Sequence, residues 1–252
     1  MYLAHLNWQQ ANKILKKEGL VAVIPIGSTE QHGPIGPLGT DFLIPEYFAR
    51  ELEKLTDILV IPTVPFGIAT HHIEFPGTID IGFDGLYAII KGIVSGLKKH
   101  GVKKFIFLNG HGGNTPALDK VALEANKEGA LCAQIDWWSL APMLDPSWKG
   151  GHGDAQEVSM ILAIDETLVK KDDLIETKVN HLSKNLKNIH LNVVEFKGIP
   201  IKIVRSVDSV VNNGGYGGAD SYHANKVWGE EMKTALMSYI IDFVNEFKTL
   251  RL

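Results

Sequence analysis

Two kinds of apolar pattern alternate along the chain. Leu20–Ile26, Ile58–Thr63, Phe105–Leu108 and Leu131–Ile135 are short apolar runs of the kind found in strands buried on both faces. Between them lie segments with helical spacing: residues 8–18, 41–55, a stretch opened by Asp84 as N-cap and running through Lys99, then 115–128, 154–164 and 223–248. Gly19 and Gly101 stand just past two of the predicted helix ends. The stretch 172–222 carries a weaker pattern, with a strand expected at Ile199–Val204 and a glycine-rich loop at Asn212–Gly218. Repeated strand–helix alternation predicts an α/β fold, a three-layer α/β/α arrangement with a mostly parallel sheet. No composition break, linker or repeat divides residues 1–252, which read as one domain. Ligands of such sheets bind outside the carboxyl ends of the strands. The segments after the first and third strands are the chemically dense ones.

Composition narrows the function classes. A hydrophobic fraction of 45% with 21% charged residues excludes disorder and a coiled coil. A formal charge of −4 gives no broad basic surface, so no nucleic-acid partner is expected. Cys132 is the only cysteine, which rules out an intrachain disulfide and a Cys-based zinc site. No apolar run approaches the ~18 residues of a membrane span, and the first residues lack a secretory pattern. A cytoplasmic protein with no membrane partner is the expectation.

Three segments carry candidate chemistry. In the first, Pro25 to Asp41, Glu30 and His32 are two apart and point the same way if extended. Asp41 follows after prolines and glycines that fix the loop. One Glu, one His and one Asp form an oxygen/nitrogen set suited to Zn²⁺, Mn²⁺ or Fe²⁺. Capping and turn roles compete with that reading, most directly for Asp41 at the start of its helix. The second segment, Asn109-Gly-His111-Gly-Gly-Asn114, places a histidine among glycines that permit close backbone approach. It resembles an esterase oxyanion loop, but no Gly-x-Ser-x-Gly elbow exists in the chain. The third runs from Gly151 through His152, Asp154 and Glu157 to Ser159, where Asp154 and Glu157 also fit a capping box. Trp148 is a candidate ring over a planar substrate, and His71 and His72 are candidate pocket residues; core packing competes for each.

These segments, in this order and together with Phe75-Pro-Gly-Thr-Ile79, resemble the creatininase (creatinine amidohydrolase) family. The resemblance implies a creatininase-like α/β fold and a centre of two divalent ions, Zn or Mn, with Fe as the third choice. It places Glu30 and His111 on one ion, His32 on the other and Asp41 bridging both. Glu157 falls where the family keeps a carboxylate, as ligand or general base, and His152 where it keeps a proton-transferring histidine. In creatininase proper a Tyr and a metal-binding Glu follow the histidine of the second segment; Gly112 and Gly113 stand there instead. That Gly-Gly version resembles formamidopyrimidine deformylase-type members. The implied activity is hydrolysis of a C–N amide bond of a small polar or cyclic substrate by water ionised at the metals, outside peptide chemistry. A formamide deformylase, another small-metabolite hydrolase on the same centre and a non-catalytic metabolite-binding module remain the alternatives. The implied assembly is a homo-oligomer, a hexamer by resemblance.

Overall fold

In the computed structural model, which describes residues 1–217 and 221–252, the four expected strands form one parallel sheet. They are β1 (Val21–Ile26), β2 (Leu59–Val60), β3 (Lys104–Asn109) and β4 (Leu131–Asp136), in spatial order β2-β1-β3-β4. The chain leaves β1 for one neighbour and returns to its other side, so the order reverses between β1 and β3. A crevice at such a switch point is the usual ligand site of an open α/β sheet. Ile26 pairs with Asn109 and Asn109 with Asp136, which brings three carboxyl ends level at that crevice.

Side-chain alternation along the strands builds two cores. Val21, Val23, Ile106 and Leu108 face the layer formed by α2 (Thr40–Leu55), α6 (Ala155–Asp165) and α7 (Lys226–Thr249). Ala22, Ile24, Ile26, Phe105 and Phe107 face α1 (Trp8–Leu15), α3 (Gly82–Lys98) and α4 (Thr115–Lys127). The three-layer architecture follows from this two-sided burial.

Several local expectations change. Asp84 does not cap α3: the helix opens at Gly82, whose amide donates to the Asp80 carboxylate at 2.9 Å, and Asp84 lies in the first turn. A helix, α5 (Trp137–Leu144), follows β4 directly where no element was expected. Ile199–Lys202 is a strand, but in a separate antiparallel sheet with Lys187–His190 and Val193–Phe196. The expected glycine-rich loop forms bends interrupted by an isolated bridge from Tyr216 to His152, and its last residue, Gly218, lies outside the described residues. No helix among the described residues is long and apolar enough to cross a membrane.

Candidate metal centre

Two glycines set the position of the central acid. A Cβ on Gly27, just past β1, would lie 2.3 Å from the Asp41 carbonyl oxygen; one on Gly110, just past β3, would lie 1.8 Å from it. Only bare backbone permits the first turn of α2 to wedge between the two strand ends, and that wedge delivers Asp41 to the crevice. The next residues of each strand bring Glu30 and His32 from one side and His111 from the other. Asn114 ties the loops together: its side chain donates to Gly27 O at 3.0 Å and accepts from the Ile68 amide at 3.0 Å. The Phe75–Ile79 segment docks on the first loop, with Thr78 Oγ1 accepting from the Gln31 amide at 3.2 Å.

Glu30, His32, Asp41, His111 and Glu157 are all buried, and they converge. The His111 Nδ1 atom is 3.2 Å from Glu30 Oε1 and 3.0 Å from Asp41 Oδ2. His32 Nε2 is 2.8 Å from Asp41 Oδ1 and 3.7 Å from Glu157 Oε2. Two donor triads therefore share Asp41, one adding Glu30 and His111, the other His32 and Glu157. Two ligand atoms at ~2.1 Å from one ion lie at most roughly 4.2 Å apart, and every pair just given meets that limit.

The ring nitrogens show what the cluster lacks. A backbone carbonyl only accepts, so the ring nitrogen beside it carries the proton. His32 Nδ1 donates to Glu30 O at 3.0 Å, and His111 Nε2 donates to Ile68 O at 2.8 Å. His152 Nε2 lies 2.8 Å from both Gln31 O and Gln31 Nε2. In His32 and His111 the other nitrogen, facing inward, is left with a lone pair. That is how metal-binding histidines are oriented by their outer partners. Both carboxylate oxygens of Glu30 and Oδ2 of Asp41 are enclosed and receive no hydrogen bond. Lone pairs of nitrogen and oxygen confronting each other at 3 Å repel unless a proton or a cation lies between them. The donor set and its unmatched oxygens fit a divalent ion.

Without an ion, protons supply the positive charge. Burial opposes a charged His32, but Asp41 and Glu157 beside it prevail and raise its pKa to about 10. His111 is likewise raised well above its usual value: burial opposes charge, and Glu30 and Asp41 outweigh it. Burial also opposes ionisation of Asp41, yet the two imidazoles hold its carboxyl far below the usual range. Glu157 is pushed up to about 8 by burial, which together with repulsion from Asp41 and Asp154 outweighs the pull of His32. Burial and the charge on His32 push His152 well below its usual value.

Glu157 combines two jobs. Its Oε2 accepts the Gly153 amide at 2.6 Å, a cap-like bond at the start of α6, and the same atom faces His32. Gly113, where creatininase proper has its ligating Glu, has no room for a side chain: a Cβ would lie 2.3 Å from Ile68 O and 2.4 Å from His111 Nε2. Glu157 is the carboxylate that faces His32 in this chain.

The centre opens into a cavity of about 250 Å³. Asp41, His111, His152 and Glu157 line its inner end, and His71, His72, Trp138 and Arg205 line other parts of its wall. His72 also faces the centre, with Nε2 3.4 Å from Glu30 Oε1 and Nδ1 accepting from the Gln31 side chain at 2.8 Å. Trp148 does not line this cavity. It is buried in the core beside α5 and α6, and its carbonyl accepts from Gln156 Nε2 at 2.6 Å. The indole on the cavity wall is Trp138, in the helix that sequence reading missed. Gln31 was missed as well; its amide binds His72 and, at 3.1 Å, Gly214 O, while its own carbonyl orients His152. A glutamine between two candidate ligands carries no sequence signal of its own.

Several known proteins are similar to this chain in sequence or in fold. A 3-dehydro-scyllo-inosose hydrolase of Thermotoga maritima is 24% identical over 98% of this chain and 83% of its own length. A mycofactocin precursor peptide peptidase of Mycolicibacterium smegmatis is 32% identical over 62% of each chain. A 2-amino-5-formylamino-6-ribosylaminopyrimidin-4(3H)-one 5'-monophosphate deformylase of Methanococcus maripaludis is 28% identical over 50% of this chain and 57% of its own. Among solved structures, a putative creatinine amidohydrolase from Bacteroides fragilis superposes with a TM-score of 0.80 at 22% identity, covering 100% of this chain and 98% of that one. A manganese form of creatininase superposes at 0.78 with 19% identity, covering 99% of each. Residues 4–244 match the family described as creatinine amidohydrolase, so the chain belongs to the creatininase family of metal-dependent amidohydrolases.

Proposed function

We propose that this protein hydrolyses a C–N amide bond of a small polar or cyclic molecule at a centre of two divalent ions, Zn or Mn. The observation that carries the proposal is the pair of donor triads joined through Asp41, with three enclosed carboxylate oxygens that no protein donor satisfies. Glu30 and His111 would hold one ion, His32 and Glu157 the other, and Asp41 both. Such ions, when bound, lower the pKa of water to near 7 and polarise a substrate carbonyl.

The chain's own residues supply the rest. Carbonyls Glu30 O and Ile68 O fix the tautomers of His32 and His111, so each offers an unprotonated nitrogen to the centre. His152 is held by Gln31 O and turns Nδ1 inward, 3.9 Å from Glu30 Oε1. From there Nδ1 accepts a proton as water attacks and returns it to the departing nitrogen, which leaves poorly as an anion. Trp138 and His72 give the substrate an apolar face and a polar contact.

A deformylase acting on a formamide uses the same centre, so formamides belong in the test. So do short peptides, given the likeness to peptidases. The homo-oligomer and cytoplasmic setting belong to the same proposal; Phe196, Ile199 and Ile201 on the small sheet are exposed apolar residues that a second copy would cover.

The experiment is elemental analysis of the purified protein, followed by hydrolysis assays on cyclic amides, lactams, formamides and dipeptides after loading with Zn²⁺ or Mn²⁺. Two equivalents of metal per chain and metal-dependent amide cleavage are expected. A chain that retains no metal under these conditions, or a metal-loaded chain inert towards every amide, overturns the reading.

A further inference from the structure

Among the described residues, Arg205 is the only Lys or Arg on the wall of the cavity that contains the candidate metal centre. It follows the strand Ile199–Lys202, in the segment packed over the turn that carries His72. Its position is fixed from one side: Nη2 donates to Asn188 Oδ1 at 2.9 Å. Asn188 is itself buried, and its carbonyl accepts the Tyr216 hydroxyl at 3.0 Å, so the anchor is part of the packed wall.

What the guanidinium lacks is an anion. It forms no ion pair among the described residues; its one side-chain partner is a neutral amide. Among the described residues, Nε is enclosed with no acceptor and Nη1 makes no hydrogen bond. An arginine that serves packing or solubility alone pairs with a carboxylate or extends into water. This one is half-buried, anchored to a neutral group and turned to a small cavity whose inner end is a metal cluster. A planar guanidinium with donors to spare is the side chain best matched to a carboxylate or phosphate.

We propose that Arg205 is the specificity determinant of the site and that the substrate is an amide carrying an oxyanion, carboxylate or phosphate, away from the scissile bond. The inference rests on the hydrolase reading above. The amide lies at the Glu30–Asp41–His111 end and the oxyanion at the Arg205 end. Binding energy gained at the remote group then positions the reacting carbonyl.

The test compares N-formylglycine and N-formyl-O-phosphoethanolamine with neutral N-formylglycinamide on the metal-loaded wild type, Arg205→Gln and Arg205→Lys. The wild type is expected to favour at least one charged probe by about tenfold or more in kcat/KM, ~1.4 kcal/mol. Whichever probe is favoured identifies the oxyanion. Arg205→Gln should lose that preference, and Arg205→Lys should keep part of it. Equal rates on all three probes, or a preference that survives in Arg205→Gln, overturn the assignment and leave the hydrolase reading standing. Should none of the three be cleaved, binding decides. Acetate or inorganic phosphate, added to chelator-treated protein, should raise the melting temperature of the wild type but not of Arg205→Gln. A rise in both, or in neither, overturns the role of Arg205 independently of any activity.

Discussion

Gly113→Ala tests whether the loop after β3 is shaped by the demands of His111. The added methyl carbon would lie 2.3 Å from Ile68 O and 2.4 Å from His111 Nε2, the two atoms that share the hydrogen bond fixing the imidazole. Both belong to packed structure, so the wall must move. Overpacking of this kind costs about 1–3 kcal/mol. For a domain of this size each kcal/mol lowers the melting temperature by about 2–4 °C, so a fall of roughly 2–12 °C is expected. Loss of the bond that orients a metal-binding histidine lowers metal affinity by about 10–100-fold. Gly112→Ala is the internal control, because its methyl would meet only Trp138 Cζ2, at an ordinary 3.7 Å. Thermal melts and competition titrations with a chromogenic zinc chelator measure both effects. Wild-type melting and wild-type zinc affinity in Gly113→Ala would refute the packing argument, and with it the claim that a carboxylate at 113 has no place here.

Four further outcomes follow from the site. Asp41→Asn, which removes the shared charge, should come off the column with little or no metal by elemental analysis; normal metal content contradicts the bridging position. Chelation should lower the melting temperature: at ion concentrations 100 times Kd, binding contributes about 2.7 kcal/mol, or roughly 5–11 °C. A calorimetric scan unchanged by chelator speaks against metal in the folded chain. His152→Ala should lower kcat by about 10²–10⁴-fold, as for loss of a general acid–base group, with metal content intact; an unaffected kcat removes it from proton transfer. Trp148→Ala should destabilise by about 3–5 kcal/mol as a core truncation, whereas Trp138→Ala should act chiefly on KM. Denaturant midpoints and steady-state kinetics separate the two.

The parallel sheet and its helices were legible because their signals are local. Leu20–Ile26 and Phe105–Leu108 are apolar runs of strand length, and buried strands require nothing more. Glu30, His32, Asp41 and His111 were legible as chemistry because rare residue types sit among glycines at strand ends. What could not be read is set by contacts distant in sequence. Trp138 and Trp148 are both aromatic residues near the third segment, and only the turn of α5 decides which indole meets the cavity. Arg205 lies in a stretch with weak periodicity, and its place on the wall depends on Asn188 and on docking over His72. Asp84 has the residue type of a cap, but it is Asp80, ahead of the helix, that accepts the first helical amide.

The reason the metal centre forms at this point of the fold lies in the sheet register. Ile26 and Asn109 are paired residues, so Gly27 and Gly110 lie side by side just beyond them, and both need their missing Cβ to admit the Asp41 backbone. A slip of one residue between β1 and β3 would break that notch and carry Glu30 and His32 out of step with His111. Ligand spacing is therefore inherited from strand pairing, which the two apolar cores stabilise without any ion. The opposing term is charge: three buried acids share one cluster, and in the absence of a cation the raised pKa of Glu157, His32 and His111 favours protons on all three. Binding a cation replaces those protons with a charge that the enclosed oxygens of Glu30 and Asp41 also reach. The scaffold thus fixes the geometry in advance and leaves the charge balance to be completed by the metal, which is the arrangement that lets a preformed site take up ions without refolding.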